Sequence, residues 1–142
     1  MRTFAAVFYV LVLFATACGG DSEPTVRFDG QECDYSGPRK FDVGLVSFTF
    51  VNDYKLEATA VVFRLEKPAT WNDFLTYAQA NPASDPPDYV NLFGLKDADA
   101  DTDDSFTVNL IQPGAWGVTC LTTSEDTDRI FPAAPLDVEA AS

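Results

Sequence analysis

The sequence contains no histidine, and its single methionine is Met1. Without an imidazole, the usual general base for a serine or cysteine nucleophile is missing. The commonest nitrogen ligand for a transition metal is missing too. Basic residues are scarce: nine Lys plus Arg stand against 22 Asp plus Glu. Nucleic acid and anionic lipid headgroups would repel such a chain, so neither is an expected electrostatic partner. Cysteine is limited to Cys18, Cys33 and Cys120. The apolar stretch Phe4 to Ala17 falls short of the about 20 residues that a membrane-spanning helix needs. No internal repeat is present. Aromatic residues are plentiful, with 12 Phe, five Tyr and two Trp. That content excludes a disordered acidic chain.

The amino terminus has three parts in order. Arg2 supplies a positive end, Phe4 to Ala17 an apolar core, and Ala15-Thr16-Ala17 a run of small residues before Cys18. This resembles a bacterial lipoprotein signal peptide, with cleavage before Cys18 and a diacylglycerol on its thiol. The expected organisation is a signal over 1–17, a flexible tether over 18–25 and one domain over 26–140. The tether reading rests on the polar, glycine-rich Gly19-Gly20-Asp21-Ser22-Glu23-Pro24. Two acyl chains hold a protein stably at a bilayer. The expected location is therefore the extracytoplasmic side of the cell membrane. Cleavage leaves 125 of the 142 residues, with eight basic against 22 acidic side chains, a net charge of −14. That length suffices for one domain with a core.

Cys33 and Cys120 remain as an even pair. In an oxidising compartment such a pair reads as a disulfide, with a thiolate metal ligand at Cys120 as the competing reading. The rest is mostly period two. Val26 to Phe28 is expected as a strand, followed by a turn at Tyr35-Ser36-Gly37-Pro38. Phe41 to Val43, Leu45 to Val51 and Leu56 to Leu65 follow as strands. Val46, Phe48 and Phe50 share one face; Val61, Phe63 and Leu65 share another. Between Thr70 and Asn81 the period changes. Trp71, Phe74, Leu75 and Ala78 form one helix face, and Thr70 with Asp73 reads as a capping box. Pro82 to Asp88 is expected as a loop. Tyr89 to Leu95 is expected as a strand and Lys96 to Asp104 as an acidic loop. Phe106 to Ile111 and Trp116 to Leu121 are expected to form a hairpin, and Leu136 to Val138 a last short strand. Trp71, Phe74 and Trp116 are expected in the core. Tyr77 and Tyr89 are candidates for a ligand surface. The helix is expected to close one end of a sandwich or to pack on its edge.

Two segments resemble the cupredoxin-like β-sandwich: Val46-Ser47-Phe48-Thr49-Phe50-Val51-Asn52, and Leu110 to Cys120 with its Pro113-Gly114 and Trp116. The resemblance covers about Val26 to Glu139. It implies a mainly β, antiparallel or mixed sandwich with one inserted helix near 70–81. It is closest to secreted lipoproteins that keep the sandwich and lack copper. A blue-copper site needs two imidazoles and a thiolate, and usually a thioether. Asp53 to Glu57 supply no imidazole after Asn52, and no methionine follows Cys120. The resemblance therefore implies Cys120 bonded to Cys33, with no copper cofactor.

One stretch offers other chemistry. Asp97, Asp99, Asp101 and Asp103 alternate along a short segment. The first three match the opening positions of an EF-hand loop, and calcium is the cation such oxygens would take. Thr102 and Val108 then stand where the loop needs Gly and Glu. The leading expectation is a non-catalytic, monomeric binding or structural lipoprotein. Its partners are the membrane, through the anchor, and an unidentified envelope protein or small ligand. A calcium-binding module is the alternative. A carboxylate hydrolase is more remote.

Overall fold

The computed structural model of the protein describes residues 23–81, 85–124 and 127–141. The signal segment, Cys18 and the start of the tether lie outside them. Among the described residues nine strands and one helix follow in order: β1 (Thr25–Phe28), β2 (Cys33–Ser36), β3 (Lys40–Asp42), β4 (Gly44–Asn52), β5 (Ala58–Leu65), α1 (Trp71–Ala80), β6 (Val90–Ala98), β7 (Thr102–Leu110), β8 (Gly114–Ser124) and β9 (Thr127–Glu139). They form two mixed sheets, a four-stranded β2-β1-β4-β7 and a five-stranded β3-β9-β8-β5-β6. The mainly β sandwich with one helix, expected from the sequence, is what the chain forms.

Alternation sets the inner faces. Along β4, Phe48, Phe50 and Asn52 are buried and Ser47 is exposed. The interior combines Val26, Phe28, Phe48, Phe50, Val108 and Leu110 from one sheet with Ala60, Val62, Trp116, Val118 and Leu136 from the other. Each large side chain buried this way contributes about 1.5–3 kcal/mol.

β5 is buried on both faces. Its outward residues Val61, Phe63 and Leu65 lie under α1, against Phe74, Ala78 and Ile130. Phe63 meets the Phe74 ring at 4.7 Å and stacks on Trp71 at 6.3 Å. The helix therefore covers the outer face of the five-stranded sheet, rather than an end or an edge. A second apolar face on β5 required a cover, and α1 supplies it. Gly117 permits the close fit: a Cβ there would stand 2.6 Å from Phe63 and 2.7 Å from Trp71. The capping box forms as expected, with Thr70 Oγ1 accepting from the Asp73 N–H and the Asp73 carboxylate accepting from the Thr70 N–H.

β7 and β8 are not a hairpin. β7 pairs with β4, whereas β8 lies between β5 and β9. Both strands carry inward apolar residues, and facing sheets let each bury them against the other. Gly114, at φ +136°, turns the chain across the gap, and the Gln112 carbonyl accepts from Trp116 Nε1 at 3.0 Å. β9 is far longer than the last strand expected. Pro132 and Pro135 mask it in the sequence. They sit where β9 pairs with β8 alone, because β3 reaches only Asp137 to Glu139.

Candidate functional site

Asn52 and Cys120 occupy the positions that the resemblance singles out. Asn52 ends β4 and is fully buried. Its Nδ2 donates to the carbonyls of Leu56, Ala98 and Asp99 at 2.9, 3.0 and 3.1 Å. Its Oδ1 accepts from the Tyr54 N–H at 3.0 Å. Cys120 lies on the penultimate strand, also fully buried, and is bonded to Cys33 across a Cα–Cα distance of 5.7 Å. The bond joins β2 of one sheet to β8 of the other. Every donor a copper ion would want is thus absent or committed. The chain has no imidazole, the Cys120 sulfur is a disulfide, and the Asn52 amide serves backbone carbonyls. The residues do not fit a blue-copper ion.

The acidic segment is more ordered than a loop. β6 runs through Ala98 and β7 starts at Thr102, so only residues 99–101 turn the chain. The expected loop from Lys96 to Asp104 is mostly strand. The inward apolar residues Ala98 and Val108 and the pairing of Asp103 and Asp104 opposite β4 extend the strands into it. Asp97 Oδ1 accepts from the Thr59 hydroxyl at 2.5 Å. The Asp99 carbonyl accepts from Asn52 and from Thr102 Oγ1. Asp101 takes the left-handed conformation at φ 55°. Asp103 lies opposite Val51. Among the described residues no group of three or more Cys, Asp or Glu side chains is placed to hold a metal ion. Asp104, the last residue of the expected acidic loop, pairs with Lys96 at 2.7 Å. That hydrogen bond and charge, with the Ser105 N–H, hold its carboxyl below the usual range.

An open groove of about 540 Å³ lies beside the start of α1, lined by Glu66, Lys67, Asp73, Asp88 and Tyr89 among others. Burial pushes the Tyr89 phenol up, and the Asp73 charge and Tyr77 add to it. Tyr77 instead donates to the Asp85 carbonyl at 2.5 Å and ties down the segment after the helix. Of the two tyrosines singled out in the sequence, Tyr89 lines the groove and Tyr77 fastens a loop. Glu66, Lys67 and Asp88 carried no sequence signal, because they come from the connections on either side of α1. Trp71 is half-buried, whereas Phe74 and Trp116 are in the core.

Fold and site together define a disulfide-tied β-sandwich with a helix on one face, a carboxylate-rich turn and no copper donor set. No family model matches the sequence, and no curated protein matches it. Several solved structures are similar. A reduced auracyanin from the photosynthetic bacterium Roseiflexus castenholzii is 17% identical, with a TM-score of 0.43 over 78% of this chain and 95% of its own. Auracyanin A, a blue copper protein from Chloroflexus aurantiacus, is 15% identical, with a TM-score of 0.42 over 81% of this chain and 100% of its own. Auracyanin B is 18% identical, with a TM-score of 0.41 over 82% of this chain and 94% of its own. The sandwich assignment rests on the strand order and not on these likenesses. No helix among the described residues is long and apolar enough to cross a membrane.

Proposed function

We propose that the chain is a lipid-anchored, extracytoplasmic lipoprotein whose cupredoxin-like sandwich is a monomeric binding or structural module. In this reading it neither carries copper nor catalyses a reaction. One observation carries the proposal: Cys120, the single soft donor on the penultimate strand, is bonded to Cys33 in a chain without histidine. A structural disulfide also suits an oxidising compartment. The pattern that ends at Cys18 supports the anchor. The groove beside Tyr89 is the surface offered to a small ligand or envelope partner. Two measurements test the reading. Cys18→Ser moves the protein from the membrane fraction to the soluble fraction, and retention in the membrane contradicts the anchor. Cu(II) added to the purified protein leaves it colourless, and an intense visible charge-transfer band contradicts the loss of copper chemistry.

A further inference from the structure

The tether is short. Only Gly19, Gly20, Asp21 and Ser22 separate Cys18 from Glu23. At about 3.6 Å per residue, Cys18 to Glu23 spans roughly 18 Å even when fully stretched. Glu23 and Pro24 are already fastened to the body. The Glu23 carboxylate accepts from Thr49 Oγ1 at 2.8 Å, and the Pro24 carbonyl accepts from the Thr49 N–H at 2.8 Å. Pro24 is buried. A lipid on Cys18 therefore keeps the sandwich close to the bilayer surface.

Strand direction says which end is near. β1 runs parallel to β4, with Thr25 opposite Thr49. The chain before Thr25 therefore enters from the side where β4 begins. At that end Leu45 is 75% exposed and Ile111 is 50% exposed. Leu45 lies opposite Asn109 on the outward face, and Ile111 follows directly after the end of β7 at Leu110. The other end carries Asp29 after β1, Asp53 and Glu57 between β4 and β5, and Asp99 and Asp101 between β6 and β7. Exposed carboxylates stand at the tether end as well, on Asp42 at the end of β3, Asp137 and Glu139 at the end of β9 and Glu66 after β5, so the tether and not charge sets which end meets the bilayer.

We propose that, on the anchored protein, the β4 start and β7 end lie against the lipid surface. Leu45 and Ile111 then enter the headgroup layer, and the β4–β5 and β6–β7 turns face away. The inference rests on the anchor reading above. Burying the two side chains removes exposed apolar surface from water.

The test uses the mature, lipidated chain in phosphatidylcholine vesicles whose acyl chains are brominated near the headgroup. Leu45→Trp, Ile111→Trp and Leu56→Trp are compared, with Leu56 in the β4–β5 connection at the far end. All three positions are exposed, and the parent chain gives the background from Trp71 and Trp116. The added fluorescence of Leu45→Trp and Ile111→Trp is quenched, and that of Leu56→Trp is not. Equal quenching at all three, or none, on protein that floats with the vesicles overturns the inference alone. Protein that stays at the bottom of the gradient with no acyl adduct by mass overturns the anchor reading, and the inference with it.

Discussion

Asn52 ends β4 inside the protein, and its one amide group holds three carbonyls from two other segments. Removing it leaves buried acceptors without donors, at a cost of about 1–3 kcal/mol for such groups. Asn52→Leu is expected to lower the denaturation midpoint by an amount in that range with an unchanged m-value. A midpoint like the parent's contradicts this role. The sequence marked Asn52 as a strand end. It did not show the amide's work, because two of the carbonyls lie 46 and 47 residues away. Tyr35 gives a pH prediction. Burial pushes its phenol up to about 12, against the lowering effect of the nearby Arg39 charge. Its hydroxyl donates to the Pro38 carbonyl at 2.5 Å. A raised folded pKa means that the neutral phenol stabilises the fold below the unfolded value of 10. That contribution is lost as pH rises from about 10 to about 12. Tyr35→Phe is expected to flatten this part of the stability curve, followed by phenolate absorbance and thermal melting.

Between elements, the Cys33–Cys120 bond is the longest-range covalent tie, with a sequence separation of 87. It fastens β2, an edge strand of four residues, to the centre of the opposite sheet. For a loop of that length the chain-entropy model sets about 4–5 kcal/mol as the upper range of stabilisation. Reduction, or Cys33→Ala with Cys120→Ala, is expected to lower stability by up to that amount. Amide exchange should quicken first in β2. Uniform quickening across both sheets contradicts the assignment of β2 as the dependent element. The acidic turn belongs to this scale as well. With Asp97 held by Thr59 and the Asp99 carbonyl by Asn52 and Thr102, calcium titration is expected to give a flat heat trace. Heat that vanishes with Asp99→Asn and Asp101→Asn reverses that expectation. The positions of β1, β4 and β5 and the capped helix were legible because alternation and the Thr70–Asp73 pair are local. Which strands pair was not. Apolar residues on β7 and β8 read the same in a hairpin as in facing sheets, and two prolines hid most of β9.

At the scale of the whole molecule, the groove and the gathering of turns at each end were invisible in the sequence. Both arise from connections that the topology gathers: Glu66 and Asp88 flank α1, while Asp53 and Asp99 meet at one end through separate turns. The absence of histidine was visible at once, and it gained its meaning when Cys120 proved to be bonded to Cys33. In the proposed function that committed sulfur goes with a lipid on Cys18. Both modifications would leave their mark on one quantity, the intact mass of the native protein isolated from membranes without reductant. The expected mass lacks residues 1–17, gains a diacylglyceryl group on Cys18 and falls short by two hydrogens for the Cys33–Cys120 bond. A mass that retains residues 1–17, or shows Cys18 as a free thiol, contradicts the account.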